Sequence, residues 1–357
     1  MRERVPEGLL ARFRSGTVIP AVPLALDVTR HLDPVRQRAL LRYYIDAGAG
    51  GLAVGVHTTQ FAIRDPAVGL FEPVLALASA VIDEWCEHRG VQVMKIAGVC
   101  GRLDQALREA QVALEAGYHA VLVSLGAYGV AEPLANLVAH CRAVAGVLPV
   151  IGFYLQPAVG GRVLPYSFWR SFVEIEGVIG IKIAPFSRYQ TLDVIRAVCD
   201  AGRGGHLALY TGNDDHIVSD LLTRFVVETV SGPASVHIVG GLLGQWAVWT
   251  RAAVALLAEV RGVTANDDSV LSDLLAGGAR LTDANGAIFD AAHGFAGCIP
   301  GIHEVLRAQG LLQGTWCLDP HETLSPGQTE EIRRVHAAYP ELNDDRFVAD
   351  HLAEWLA

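Results

Sequence analysis

Apolar, β-branched segments recur along this chain at the spacing of a strand plus a crossover helix. They lie at 17–25 (TVIPAVPLA), 50–56 (GGLAVGV), 91–98 (VQVMKIAG), 119–125 (HAVLVSL), 148–154 (LPVIGFY), 178–184 (VIGIKIA), 206–212 (HLALYTG) and 235–240 (SVHIVG). Successive starts are separated by 33, 41, 28, 29, 30, 28 and 29 residues, the size of a βα unit. The stretches between them carry helical signals. Asp33-Pro34 reads as an N-cap followed by a first-turn proline, with Gly48 as a stop. Leu103, Leu107, Ala110 and Leu114 fall at helical spacing before Gly117. Near-continuous apolar strands suit a parallel sheet covered on both faces. Eight βα units in about 250 residues predict an α/β fold, the (β/α)8 or TIM barrel. The rival, an open doubly wound sheet, would usually show a G-x-G-x-x-G turn after an early strand, and none is present there.

The pattern divides the chain into a barrel over 1–262 and a helical extension over 263–357. An eighth helix is expected near 243–262. The extension reads as helices at 267–276, 283–293, 299–310, 327–338 and 344–356, broken at Gly277-Gly278, Pro320, Pro326 and Pro340. With 51% hydrophobic and 18% charged residues the chain has ample material for a core. Its net charge of −10, without a basic cluster, argues against a nucleic-acid partner. Arg251 interrupts the longest apolar stretch, which argues against a membrane span. The beginning lacks the apolar segment of a signal peptide, and the six scattered cysteines include no C-x-x-C pair. Together these predict reduced thiols in a cytoplasmic protein.

Of the 28 basic residues, only Lys95 and Lys182 are lysines, and both lie inside apolar strand segments. Arginine keeps its proton in proteins, whereas a desolvated lysine can become a neutral amine nucleophile. The bland alternative is that two lysines survived by chance and snorkel to the barrel ends. Alternation places Gly180, Lys182 and Ala184 on one face of the sixth strand, small neighbours around the amine. Ile179, Ile181 and Ile183 then face the helices. Lys95 sits between bulky Met94 and Ile96, so alternation alone does not separate the two lysines.

In such barrels chemistry sits at the C-terminal strand ends. These are Gly55-Val-His-Thr-Thr-Gln-Phe61, Ser124-Leu-Gly-Ala-Tyr128, Phe153-Tyr-Leu-Gln-Pro157, Lys182, Tyr210-Thr-Gly-Asn-Asp-Asp215 and Val239-Gly-Gly-Leu-Leu-Gly244. Tyr154-Leu-Gln-Pro157 and Gly180-Ile-Lys182, in this order and spacing, resemble the Y-x-x-P and G-(I/V)-K elements of the dihydrodipicolinate synthase / N-acetylneuraminate lyase family. Gly16-Thr-Val-Ile-Pro, Leu32-Asp33, Gly48, Ile96-Ala-Gly-Val and Thr211-Gly-Asn-Asp are similar to further elements of that family, and the resemblance covers most of 16–262.

The resemblance implies a Schiff-base lyase, aldolase or dehydratase acting on a 2-oxo acid such as pyruvate, or on a sugar-derived oxo acid. It selects Lys182 over Lys95 as the imine-forming residue and implies Tyr154 as the proton relay. Tyr128 is similar to the tyrosine lent to a neighbouring subunit in a homodimer or homotetramer. Thr58, Thr59, His57, Gly212, Asn213 and Arg162 are the expected substrate-binding residues, with no cofactor and no metal. The strand-2 loop departs from the family's G-T-T-G-E, and Val159 stands where the synthase has its substrate-binding arginine, with Arg162 shifted nearby. Three other readings stay open. A metal-dependent barrel aldolase or hydrolase would use His57, Asp214, Asp215 and His237. A phosphate-binding barrel would use Gly212, Gly240, Gly241 and Gly244. A non-catalytic or regulatory ligand-binding barrel would explain the altered strand-2 loop.

Overall fold

A computed structural model describes residues 5–263 and 268–357. Eight parallel strands form the barrel: β1 (Val18–Pro20), β2 (Gly51–Val54), β3 (Met94–Val99), β4 (Ala120–Val123), β5 (Val150–Leu155), β6 (Val178–Ala184), β7 (Ala208–Thr211) and the C-terminal part of β9 (Gly232–Leu243). Their order is β1-β9-β7-β6-β5-β4-β3-β2. A bridge between Ala21 and Ala53, with the Val22 amide donating to Ala53 O at 2.9 Å, closes β1 onto β2. The expected fold class is the one observed. The first crossover helix begins where expected, at Pro34, because the Asp33 carboxylate accepts from the amides of Val35 and Arg36.

The structure adds a strand that the spacing did not predict. After β7 the chain makes a short helix, Ile217–Leu222, and then β8 (Arg224–Thr229), which pairs antiparallel with the start of β9. This hairpin stands where a full-length seventh crossover helix was expected. Its signal is present as alternating burial in Arg-Phe-Val-Val-Glu-Thr, followed by a turn at Val230-Ser231. The eighth helix runs over Thr250–Gly262, after a short 3-10 turn.

The helices of the extension also differ from expectation at one point. A single helix, Asp268–Ile288, passes through Gly277-Gly278. A Cβ on Gly278 would lie 2.9 Å from Val218 Cβ, so this glycine allows close approach of two helices instead of ending one. Helices Cys298–Ala308, Gln328–Ala338 and Asp345–Leu356 follow. The last packs on the helix Pro34–Asp46, where Trp355 Nε1 donates to Asp46 at 2.7 Å. Among the described residues no helix is long and apolar enough to cross a membrane.

The barrel interior has its own core of Ile19, Met94, Ile96, Leu122, Ile151, Phe153 and Tyr210, closed from below by the helix Glu7–Ser15. Phe13 of that helix stacks on Tyr210 with ring centroids 4.8 Å apart, and Tyr210 Oη donates to Phe13 O at 2.7 Å. Met94 and Ile96 point into this interior, so Lys95 points outward. There its Nζ bonds Ser79 Oγ and the Asp83 carboxylate at 2.9 and 2.7 Å. On β6 the alternation needs one correction. The pairing register shifts between Val150 and Ile151, so Ile179 joins the interior, while Ile181 and Ile183 pack outward.

Candidate active site

Beyond the shift, Lys182 faces inward, paired with Phe153 on β5 and Tyr210 on β7. It lies at the upper end of β6, above the Phe13–Tyr210 floor. Its Nζ sits 4.5 Å from the centroid of the Phe153 ring. Among the described residues it forms no hydrogen bond and no ion pair within 4.0 Å, and it opens on a cavity of about 40 Å³. The amine is held in place by packing. A Cβ on Gly212 would lie 2.7 Å from both Lys182 Cε and Ala184 Cβ, so the absence of a side chain there makes room for the lysine stem.

Asp214, His57 and Thr58 line the same cavity. Asp214 is buried, and one carboxylate oxygen accepts from the Gln245 amide at 2.8 Å. Burial pushes the Lys182 amine below the ordinary lysine range, and the nearby Asp214 charge partly opposes this. Burial pushes Asp214 above the ordinary carboxyl range, against the Gln245 bond and the lysine charge. Both shifts have the same physical cause, the cost of holding a charge in a water-poor cavity. His57 is pushed down to about 4, by burial first and the Lys182 charge second, so its imidazole is neutral at pH 7.

The walls are aromatic and partly supplied by the extension. Phe153, Leu155 and Phe186 come from the barrel, whereas Phe289, Phe295 and Cys298 come from the C-terminal extension, the first two from the turns between its helices. Phe186 and Phe295 meet edge to face at 5.7 Å. Both have left-handed backbones, with φ of 52° and 70°. For bulky residues this conformation costs on the order of 1 kcal/mol or more. Asn213 offsets it at Phe186, whose amide donates to Asn213 Oδ1 at 3.0 Å.

Several expected site residues are elsewhere. Tyr154 is on the outer face of β5, its ring 5.2 Å from Trp169 and its hydroxyl accepting from the Leu164 amide at 3.2 Å. Phe153 occupies the inward position beside Lys182, because side chains alternate along a strand. Tyr128 is buried in the helical layer, hydrogen-bonded to His140 Nδ1 at 2.8 Å. Arg162 donates to the carbonyls of Tyr128 and Gly129 at 3.2 and 3.0 Å, tying two loops together outside the cavity. Asn213 also donates to Thr191 and Asp220, and so acts on backbone placement. Thr59 Oγ1 accepts from the Gly55 amide and donates to Val22 O, while Thr58 Oγ1 donates to Ala21 O. Of the expected residues, therefore, Lys182, His57, Thr58 and Gly212 share the cavity.

The remaining constellations are not assembled. His237 is exposed on the β8–β9 hairpin and Asp215 is exposed beyond the cavity, so neither joins His57 and Asp214 around a metal. Cβ atoms on Gly240, Gly241 and Gly244 would strike Thr17, Trp246 and Phe289, so these glycines serve close packing. Phe153 and the residues of the extension are the members that the sequence did not single out for this site, and Asp214 was singled out only as a metal ligand. Asp214 was legible as an acidic residue at the end of β7. The aromatic residues of the extension carried no local signal.

The comparisons agree with this architecture. N-acetylneuraminate lyase from Fusobacterium nucleatum in complex with pyruvate superposes with a TM-score of 0.70 at 16% identity, over 93% of this chain and 98% of that one. The prophage protein YagE from E. coli K12, of the dihydrodipicolinic acid synthase family and also in complex with pyruvate, gives 0.71 at 20% identity over 92% and 98%. CdNal from Clostridium difficile, in complex with mannosamine, gives 0.71 at 15% over 91% and 99%. No curated protein matches the chain in sequence. The model of the dihydrodipicolinate synthetase family matches residues 14–246, and with its inward lysine at the mouth of an eight-stranded barrel the chain belongs to that family.

Proposed function

We propose that the chain is a Schiff-base lyase or aldolase that takes a small 2-oxo acid such as pyruvate, with Lys182 as the imine-forming residue. The observation that carries this reading is the Lys182 amine itself, facing a small cavity without a hydrogen bond or ion pair among the described residues, its charged form disfavoured by burial. The neutral amine adds to the keto carbon, forming a C–N bond as the carbonyl π pair moves to oxygen. The resulting carbinolamine loses its oxygen as water, and a protonated imine remains. That cation draws electrons from the adjacent carbon, so a proton or a C–C bond there can be released and an enamine formed.

The proton for the departing hydroxyl comes from Asp214, whose raised affinity keeps a proton available near neutral pH. Tyr154 does not face the cavity, so this chain uses a carboxyl in that place. The backbone at His57 and Thr58 offers polar contacts for the carboxylate end. The aromatic walls and the cavity of about 40 Å³ favour a three-carbon acid over an extended sugar chain.

Borohydride added with pyruvate traps a covalent adduct, and peptide mass spectrometry places it on Lys182. If a panel of short 2-oxo acids gives no adduct there, the imine reading fails and the non-catalytic ligand-binding reading takes its place. Tyr154→Phe forms the adduct at a rate within about threefold of the parent and loses about 1 kcal/mol of stability, the value of one hydrogen bond. A much larger drop in adduct rate would put the hydroxyl back into the chemistry.

The pH dependence has a definite sign. The Asp214 charge favours the ammonium form of Lys182, so Asp214→Asn lets the amine lose its proton at lower pH. The acid limb of adduct formation therefore moves to lower pH, while the maximal rate falls by about 10²-fold with loss of the acid. Trapping rates from pH 5 to 10 check both effects. A limb that stays in place separates Asp214 from the amine.

A further inference from the structure

The segment between the helices Asp268–Ile288 and Cys298–Ala308 lies over C-terminal strand ends of the barrel, and its Phe289 and Phe295 line the cavity in front of Lys182. Phe289 sits against Gly244, just past β9, where a Cβ would come within 2.8 Å of the ring. Phe295 meets Phe186, just past β6. Phe186 and Phe295 are both half-buried. A side chain that lines a small cavity and still touches solvent is the boundary between the two, so this pair closes the site on its solvent side.

The segment is tied down at both ends. Gln328 Nε2 donates to Ile288 O at 3.1 Å and to Gly297 O at 2.9 Å. The buried Asp290 carboxylate accepts from the Gly297 amide at 2.9 Å and from Ser325 Oγ at 2.6 Å, and meets His293 Nδ1 at 2.5 Å. Asp290 and Phe295 have left-handed backbones, with φ of 58° and 70°. Such residues other than glycine persist where the surrounding bonds over-determine the shape. Phe295 is therefore a fixed part of the wall.

Polar and apolar parts of the lining stand on different sides. His57 and Thr58 follow β2, whereas Phe186 follows β6, which lies on the opposite side of the closed barrel. A 2-oxo acid joined to Lys182 with its carboxylate toward the β2 loop turns the carbons beyond its keto group to Phe186, Phe289 and Phe295. Among the described residues no arginine and no second lysine line this cavity, so a second carboxylate there would lack a partner.

We propose that Phe295, held by Gln328 and Asp290, sets the upper chain length of the substrate, so that the site takes short monocarboxylic 2-oxo acids such as pyruvate and 2-oxobutyrate. The inference rests on the imine reading of Lys182 and deepens it. Each further methylene must displace part of the Phe186–Phe295 pair, and one methylene in an apolar pocket changes rates by about 10- to 200-fold.

Borohydride trapping at Lys182 with pyruvate, 2-oxobutyrate, 2-oxohexanoate and 2-oxoglutarate tests it, each rate taken as a ratio to that of pyruvate. In the parent, 2-oxobutyrate stays within about tenfold of pyruvate, and the two longer acids are slower by about 10²-fold or more. Phe295→Ala raises the 2-oxohexanoate ratio at least about tenfold, and Phe295→Leu, which keeps more of the packing, raises it less. Phe295→Trp lowers the 2-oxobutyrate ratio by about tenfold. A ratio measured on one sample does not move with the fraction of folded protein. A parent that traps 2-oxohexanoate as fast as pyruvate, or variants that trap pyruvate with the parent's ratios, overturns this inference and leaves the imine reading standing. A parent that traps none of the acids overturns both.

Discussion

Lys182→Arg forms no borohydride-stable adduct with pyruvate, and turnover falls by on the order of 10⁴-fold or more, the scale for loss of a covalent nucleophile. Arginine fills similar space and keeps the positive charge beside Asp214, but it cannot lose its proton, so no neutral nitrogen is available to attack. Lys95→Arg is the matching control. Lys95 points into the helical layer and holds Ser79 and Asp83. Its replacement leaves the adduct intact and changes stability only, by about 1–3 kcal/mol if the charged hydrogen bonds are not reformed. Intact-mass measurement after reduction, with thermal unfolding of both variants, separates the two lysines. Equal adduct in Lys182→Arg and the parent removes the imine mechanism.

Gly212→Ala lowers the rate of adduct formation by about 10²-fold while leaving the fold in place. The added methyl would stand 2.7 Å from Ala184 Cβ, which cannot turn aside, and 2.7 Å from Lys182 Cε, which can. The lysine stem therefore yields, and a displacement of about 1 Å at a reacting nitrogen costs about that factor. The loss lies in the rate of imine formation rather than in stability, so stopped-flow trapping and a melting curve measured on the same sample distinguish it from misfolding. An unchanged rate would show that the amine position does not depend on this contact.

How much of this was legible follows from particular residues. The choice of Lys182 rests on the order of Tyr154-Leu-Gln-Pro157 and Gly180-Ile-Lys182, and the cavity forms around that lysine. The same motif pointed to Tyr154, which the structure places on the outer face of β5. Phe153 and Tyr154 are neighbours on that strand, and only one of two neighbours on a strand faces inward. The pairing Phe153–Lys182 decides which. Arg162 and Asn213 lie close to the site in sequence, yet each is drawn to backbone groups, carbonyls at Tyr128 and Gly129 for one and the Phe186 amide for the other.

The sequence by itself determined the barrel, because a strand and its crossover helix leave a repeating local signature of apolar runs, caps and glycine stops. It also singled out Lys182 as the candidate imine-forming residue, because the ordered Y-x-x-P and G-I-K elements set it apart from Lys95. Only the tertiary structure decided what surrounds that amine. Asp214, Phe153, Phe289, Phe295 and Cys298 come from segments far apart in the chain. Their convergence depends on strand register and on how the C-terminal helices fold back over the barrel mouth, and those are long-range packing outcomes that no local pattern encodes.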